Sequence, residues 1–119
     1  MLEIRENLSP DGYRNFPEDS HITEAFDGDR IIGYIVYSYE LNKTVVHGMD
    51  DGGDIMLCDG LVRSVIFKSC LKAVDTLVFG SPDCLENLRC LKFITGDNFT
   101  VENIDRFMNG CKDCKNKIQ

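Results

Sequence analysis

The clearest structural signal in the chain is the stretch Arg30-Ile31-Ile32-Gly33-Tyr34-Ile35-Val36-Tyr37-Ser38-Tyr39. This stretch is rich in β-branched and aromatic residues, which are enriched in strands. Its nearly continuous apolar character is typical of a strand that is covered on both faces. The sequence therefore predicts a central β-strand here, and we place the other elements relative to it.

Weaker strand patterns flank the central strand on both sides. His21–Phe26 alternates between polar and apolar residues, and Asp27-Gly28 after it is a tight-hairpin signal. Lys43–Gly48 follows a short turn and is predicted to pair back onto the central strand. Leu2–Leu8 is predicted to be a first strand, and the polar stretch that follows it, up to Ser20, is expected to be irregular. These patterns predict an antiparallel early sheet.

The hydrophobic period changes after the segment Asp50–Asp54. From there the apolar residues recur at intervals of three and four, which indicates an amphipathic helix. They are Leu57, Cys58, Leu61, Val62, Val65, Ile66, Cys70 and Ala73. Thr76–Gly80 is then a short apolar stretch typical of a buried strand. Strand, helix and strand in this order predict a β-α-β unit, whose crossover implies parallel pairing and a right-handed connection.

Helical signals follow in the C-terminal part of the chain. Ser81-Pro82 is predicted to begin a helix, with serine as the N-cap and proline at the first helical position. Thr100 is predicted to cap a last helix, which Gly110 ends. The predicted order is β-β-β-β-α-β-α-α, an α/β protein with a mixed sheet and helices packed on it. We expect residues 1–110 to form a single domain and residues 111–119 to be a mobile tail.

Length and charge argue against several classes of protein. The chain has 119 residues and a formal net charge of -7, whereas nucleic-acid binding needs a basic surface. No apolar run approaches the ~20 residues of a transmembrane helix, and the N-terminus lacks the basic start and apolar core of a signal peptide. We therefore expect a cytoplasmic protein with no membrane partner. Its Cys58, Cys70, Cys84 and Cys90 are expected to be core thiols in a reducing compartment.

The central strand also carries a family resemblance. Asp29–Tyr37 has the pattern charged, apolar, Gly, aromatic, apolar, which resembles a strand of the GNAT acyltransferases that follows a hairpin. The order of the next elements is also similar to that family, over roughly residues 21–95. The resemblance implies a GNAT-like fold, acetyl-CoA as acyl donor and a small-molecule or peptide amine as acceptor. The coenzyme would lie between diverging strands at Val45–Gly48 and Thr76–Gly80.

The resemblance also implies which residues bind the coenzyme. In the family, backbone N–H groups of a glycine-containing loop at a helix N-terminus hold the pyrophosphate, where unpaired donors and the helix dipole favour an anion. The positions that match are Val46 and His47 on the strand and Gly52, Gly53 and Asp54 in the loop.

Four departures separate the chain from the family pattern, one of which is Lys92-Phe93 where the family has a terminal Gly-Phe pair. Asp50, Asp51 and Asp54 replace the basic residue of the family loop, and each carboxylate would repel a diphosphate by about 1 kcal/mol at 4 Å in bulk water. A short polar stretch replaces the two helices that help to bind the acceptor. Leu88 stands near the position of the tyrosine that serves as general acid, and it cannot donate a proton.

The acidic loop and His47 each leave more than one interpretation open. The loop can be a capped helix start, because carboxylates are stabilising near a helix N-terminus. It can also be a residual coenzyme loop, or a cation site, although it lacks the spacing of an EF-hand. His47 can be a structural residue or a general base.

The spacing Cys111-x-x-Cys114 is the best metal or redox pattern in the chain. One such pair supplies two of the four ligands of a structural zinc site. The alternatives are a reversible disulfide and a plain tail. A redox pair normally opens a helix, whereas this pair follows a predicted helix end.

Two hypotheses on function follow from these observations. The first is a minimal GNAT-like N-acetyltransferase that uses acetyl-CoA. The second is a GNAT-fold binding or structural module without catalysis, which acts through a small ligand or as a homodimer, with a tail metal site compatible with either.

Overall fold

The computed structural model describes residues 2–7, 12–13 and 15–108. Its strands are β1 (Leu2–Asn7), β2 (His21–Asp27), β3 (Arg30–Glu40), β4 (Lys43–Asp50), β5 (Thr76–Phe79) and β6 (Thr100–Glu102). Its helices are α1 (Ile55–Leu71) and α2 (Leu85–Cys90). Within this part of the chain, the strands form one six-stranded sheet in sequence order. Only β4 and β5 run parallel in it.

The predicted α/β class with a mixed sheet is confirmed. β3 lies inside the sheet between β2 and β4, and its residues Ile35, Val36 and Tyr37 are fully buried. β4, α1 and β5 form the predicted β-α-β unit. The residues that α1 buries include Leu61, Val62, Val65 and Ile66. Burying each such side chain fully stabilises the fold by roughly 1.5–3 kcal/mol, so the stripe at spacings of three and four holds α1 to the sheet.

The two faces of the sheet are covered differently. Ala25 and Ile35 belong to the core cluster together with Leu57 of α1, so these side chains share the helix-covered face. Because successive residues of a strand point to opposite faces, Glu24 and Tyr34 lie on the other face. Tyr13, which precedes β2, lies against that second face and contacts both of these residues.

The predicted helix at Ser81-Pro82 is wrong in its starting point. α2 begins at Leu85, and its N-cap is Cys84, which has a φ of 57° and makes no side-chain capping bond. The Ser81 hydroxyl instead accepts a hydrogen bond from the N–H of Asp83, at 3.3 Å. A serine side chain that accepts a hydrogen bond from the N–H two residues ahead stabilises a turn. Ser81 therefore stabilises the turn before α2 and does not cap the helix.

The predicted last helix is also wrong at its start. Thr100–Glu102 is β6, which pairs antiparallel with β5. Val101 is buried between two exposed neighbours, which is the alternation of a strand. Three residues are too few to show a period in the sequence, and the free edge of β5 decides their pairing. Helical backbone begins at Arg106, and Gly110 lies outside the described residues.

The prediction that four cysteines are core thiols holds only in part. Cys58 is buried, Cys70 and Cys84 are half-buried, and Cys90 is exposed. In α2 the buried residue is Leu88. Cys90 follows it by two positions, which places the two side chains on different sides of the helix. The prediction is therefore wrong for Cys90.

The end of β4 differs from the rest of the strand. The register with β3 pairs Val36 with Gly48 and Tyr37 with Val46, so His47 is an extra residue, a β-bulge. Pairing with β5 ends at Val46, whereas β4 continues to Asp50. The last part of β4 is therefore paired with β3 but not with β5. Among the described residues, no helix is long and apolar enough to cross a membrane.

Candidate functional site

The acidic loop connects the end of β4 to the start of α1. Gly52 and Gly53 have φ values of 62° and 82°, in the left-handed region that glycine adopts without strain. The N–H of Gly52 donates to Asp50 Oδ1 at 2.9 Å, and the N–H of Gly53 donates to Asp51 Oδ1 at 2.8 Å. The two glycines do supply the backbone conformation expected of an anion loop, but their donors are bonded to the chain's own carboxylates.

Asp54 is the N-cap of α1. Its Oδ1 accepts hydrogen bonds from the N–H groups of Met56 at 2.9 Å and Leu57 at 3.4 Å. The prediction of a capped helix start is therefore confirmed. These donors are the ones that a helix N-terminus otherwise offers to an anion, so Asp54 occupies that role itself. The described residues contain no group of three or more side chains arranged to hold a metal ion.

Asp51 is the buried member of the acidic loop, with 4% of its surface exposed. Its Oδ2 accepts a hydrogen bond from Asn87 Nδ2 of α2 at 2.8 Å, in addition to the Gly53 bond at Oδ1. Burial acts to raise the pKa of Asp51, but the bonds from Asn87 and Gly53 outweigh it and hold the pKa below its ordinary value. Asp51 is thus a fixed internal anion that connects the loop to α2.

Two cysteine thiols also lie beside Asp51. Burial, followed by the charge of Asp51, raises the pKa of Cys58 far above its ordinary value. Burial also raises the pKa of Cys84 to about 12, and a hydrogen bond with Asp51 opposes the shift only in part. A nucleophilic cysteine needs a thiolate at neutral pH. These thiols therefore serve as neutral donors beside the carboxylate.

The two candidate residues on β4 have separate surroundings. Val46 is buried, and its carbonyl oxygen accepts the N–H of Gly80 at 2.8 Å, directly after β5 ends. The bulged His47 is half-buried, and its Nε2 lies 2.7 Å from Ser38 Oγ on β3. This contact engages one ring nitrogen with a buried hydroxyl, which supports the structural interpretation of His47.

The space beside the unpaired end of β4 is filled by side chains. The N–H of Met49 donates to Asp83 Oδ2 at 3.2 Å, and Cys84 Sγ lies 3.8 Å from the Met49 carbonyl oxygen. On Gly48, a Cβ atom would lie 2.7 Å from the ring of Phe16. A coenzyme arm in this groove would have to displace these groups.

The structure thus brings together only part of the predicted site. Gly52, Gly53 and Asp54 form one loop, whereas Val46 and His47 contact other groups, and Cys111 and Cys114 lie outside the described residues. Sequence reasoning missed two partners of the loop region, Asp83 and Asn87. Both follow β5, more than thirty residues away from their partners. No local pattern could have identified them.

Comparisons with known proteins show the fold. No family model matches the chain, and no curated protein matches it. A GNAT-family acetyltransferase structure from Desulfovibrio desulfuricans superposes with a TM-score of 0.60 at 12% identity, over 78% of this chain and 83% of that chain. A GNAT acetyltransferase from Elizabethkingia anophelis with acetyl-CoA bound gives a TM-score of 0.60 at 15% identity, over 77% and 73%. The ribosomal-protein alanine N-acetyltransferase from Escherichia coli gives 0.54 at 13% identity, over 77% of each chain.

These structures have little sequence in common with the chain, so the likeness concerns architecture. The chain has the GNAT fold, as the resemblance of its central strand implied. Leu88, which the resemblance placed near the general-acid tyrosine, is fully buried in α2. The activity of the related structures does not follow from the likeness.

Proposed function

We propose that this GNAT-fold chain is a binding module that does not transfer acetyl groups. The proposal rests on the hydrogen bonds within the acidic loop. Its donors at Gly52, Gly53, Met56 and Leu57 each bond to a carboxylate of the chain itself. The loop therefore lacks free donors at these positions for a diphosphate, and the residues present do not fit the coenzyme.

Electrostatics opposes the coenzyme as well. A diphosphate at the loop would lie beside the carboxylates of Asp50, Asp51 and Asp54. Each contact at 4 Å costs about 1 kcal/mol in bulk water and about 4 kcal/mol near a protein surface. Asp50 is exposed and can rotate away, but Asp51 is buried and bonded to Asn87. Releasing Asp51 would leave the Asn87 amide and the Gly53 N–H without their acceptor.

An acetyl-CoA-dependent N-acetyltransferase with an amine acceptor is the second candidate. The observation that favours it is the unpaired end of β4 beyond Val46, together with the acetyl-CoA bound in the related Elizabethkingia structure. For this candidate, Asp83 and Phe16 would have to leave the groove when the coenzyme enters.

Calorimetric titration of the full chain with acetyl-CoA separates the two candidates. We expect no heat of binding up to about millimolar coenzyme, a concentration at which even a weak complex of about -4 kcal/mol is half formed. The amide signals of Gly52 and Gly53 in a ¹⁵N-labelled sample provide a local readout. Saturable binding that shifts these two signals would refute the argument from the loop, and transfer of the acetyl group to an added amine would establish the second candidate. Asp50→Asn is a useful companion, because it removes the exposed carboxylate and leaves Asp51 in place.

Zinc binding by Cys111 and Cys114 remains a separate proposal, supported by their spacing. A second pair of ligands would have to come from elsewhere, for example from another copy of the chain. Metal analysis of protein purified without chelator tests this proposal. A zinc content near half an atom per chain is expected for a site shared by two copies, and a content near zero removes it.

A further inference from the structure

A second concave site lies on the sheet face opposite α1. It is a pocket of about 580 Å³. Its walls are formed by Asn7, Gly12, Tyr13, Asn15, Phe16, Glu24, Ile31 and Tyr34. Gly12, Tyr13, Asn15 and Phe16, which precede β2, form one wall of the pocket. It does not include the acidic loop or the predicted coenzyme residues, so the proposed function has not accounted for it.

Glu24 is the distinctive side chain in this pocket. It lies in the middle of β2 with only 4% of its surface exposed, although buried glutamates are rare unless they are paired. Tyr13 donates its hydroxyl to Glu24 Oε2 at 2.6 Å, a length typical of a bond to an ionised carboxylate. A carboxylate offers about four acceptor positions. Among the described residues, the Tyr13 hydroxyl is the side-chain donor bonded to this carboxylate, which leaves acceptor positions for a cationic donor.

Aromatic rings stand around the carboxylate. The ring of Tyr13 lies 5.3 Å from the ring of Tyr34 in an edge-to-face arrangement and 6.5 Å from the ring of Phe16. The negative faces of aromatic rings attract ammonium groups, and several rings around one site form the cages that bind alkylated ammonium ions. The pocket thus combines a buried anion with aromatic walls.

The charge around the pocket has the same sign as Glu24. Burial, followed by the negative charges of Asp50 and Asp83, raises the pKa of Tyr34. These two carboxylates are therefore close enough for Tyr34 to sense them. The whole chain carries a net charge of -7. Arg5 of β1 pairs with Glu24 across the sheet, but its guanidinium lies over the ring of Phe26 and beside Glu3. The carboxylates of Glu24, Asp50 and Asp83 therefore favour a cation over an anion in the pocket.

We infer that the pocket between Tyr13, Glu24 and Tyr34 binds a small organic ammonium ion. This inference deepens the proposed function, because it rests on the binding-module proposal and names the class of ligand. The Glu24 carboxylate receives the positive charge, and the rings of Phe16 and Tyr34 contact the carbon atoms around the nitrogen. No transfer step is part of the inference.

Choline and its neutral isostere 3,3-dimethyl-1-butanol test the inference on the full chain. They have the same shape and differ in charge, so calorimetry or NMR titration separates cation recognition from simple apolar burial. We expect choline to bind and to shift the ring signals of Tyr13 and Tyr34, and the isostere to bind at least about tenfold more weakly. Ethylammonium serves as a third probe, and its binding distinguishes a site for primary amines from a cage for alkylated ones.

Variants locate the binding in this pocket. Glu24→Gln keeps the size of the side chain and an acceptor for Tyr13, and is expected to weaken ammonium binding by about tenfold or more. Asp29→Asn is the matched control, because it removes one exposed charge outside the pocket. Tyr34→Leu is expected to weaken ammonium binding severalfold, whereas Tyr34→Phe, which keeps the ring, is expected to bind as the wild type does. Thermal unfolding of each variant confirms that it is folded.

Three outcomes would overturn the inference. They are equal binding of choline and its neutral isostere, unchanged affinity in a folded Glu24→Gln variant, and no binding of either ammonium probe at about 10 mM. Arg14 follows Tyr13 in the sequence and lies outside the described residues. If the Arg14→Ala variant binds choline and the wild type does not, the inference is also overturned. The cation that the pocket accommodates would then be a side chain of the chain itself. None of these results depends on acetyl-CoA, so the binding-module proposal fails or succeeds separately.

Discussion

Asp51 connects the acidic loop to α2, and Asp51→Asn is expected to destabilise the domain by about 2.5–4.5 kcal/mol at neutral pH. The two carboxylate oxygens accept from two different donors, Gly53 N–H and Asn87 Nδ2, each at 2.8 Å. An asparagine has one oxygen and one NH₂ group, so it can satisfy only one of them. Bonds to a charged acceptor contribute about 1.5–3 kcal/mol each, and neutral ones about 0.5–1.5 kcal/mol. One bond is lost and the other is weakened, which gives the stated range.

Asp50→Asn is the matched control for this substitution. Asp50 neighbours Asp51, is exposed, and accepts a single bond from the N–H of Gly52 at 2.9 Å. An asparagine oxygen can still accept this bond, so a cost below about 1 kcal/mol is expected. Both variants change the net charge equally, which removes the long-range electrostatic effect from the comparison. Urea unfolding followed by circular dichroism measures the two free energies of unfolding.

The effect of Asp51→Asn should also depend on pH. The fold holds the pKa of Asp51 below its ordinary value of 3.8. The stabilising contribution of the ionised group is therefore present above about pH 4 and is lost as pH falls through the lower pKa of the folded state. The difference between the wild type and Asp51→Asn should shrink as pH falls below about 4, where the carboxyl begins to be protonated in the unfolded state. A difference below about 1 kcal/mol at pH 7, or one that is unchanged at low pH, would refute the argument.

Three further predictions concern the core and the helix caps. Asp54→Ala removes the N-cap of α1 and should lower the free energy of unfolding by about 0.5–2 kcal/mol; an unchanged melting temperature would contradict the capping role. Gly33→Ala places a Cβ atom 2.7 Å from the backbone carbonyl oxygen of Asp50, so chemical denaturation should show a loss of about 1–3 kcal/mol. Alkylation with iodoacetamide at pH 8, mapped by mass spectrometry, should modify the exposed Cys90 well before Cys84, whose pKa is raised to about 12; equal rates would argue against a protected Cys84 thiol.

Local patterns were sufficient to predict most of the secondary structure. The central strand is visible as a nearly continuous run of apolar, β-branched and aromatic residues. The strand before it shows a period of two, and the helix after the acidic loop a period of three to four. These elements are β3, β2 and α1, and their order led directly to the mixed sheet. Prediction failed for Ser81 and Thr100, where a short capping signal occurs also in turns and strands. At Thr100–Glu102 the open edge of β5 decided the structure.

The sequence predicted which residues form the acidic loop, but not how their hydrogen bonds are arranged. The sequence located an acidic, glycine-containing loop at a helix start, and the structure confirms the loop and its Asp54 cap. Whether the N–H groups of the loop are free to bind an anion depends on hydrogen bonds that a hydrophobic pattern does not predict. The hydrogen bonds between Asp83 and Met49 and between Asn87 and Asp51 join residues that are 34 and 36 positions apart. The sequence contained both partners but no signal of their proximity.

The acidic loop shows which of its properties the sequence determines and which depend on the tertiary structure. The sequence alone determined that carboxylates and two glycines precede a long amphipathic helix, and that the surrounding strands form a GNAT-like order. Only the tertiary structure decided that the carboxylates bond to the donors of the loop, and that Glu24 is buried among the rings of Tyr13 and Tyr34. Hydrophobic periodicity is a property of neighbouring residues, and it fixes which face of an element is buried. The bonding of a buried polar group depends on residues that distant parts of the chain bring to it, because burial makes an unpaired polar group costly.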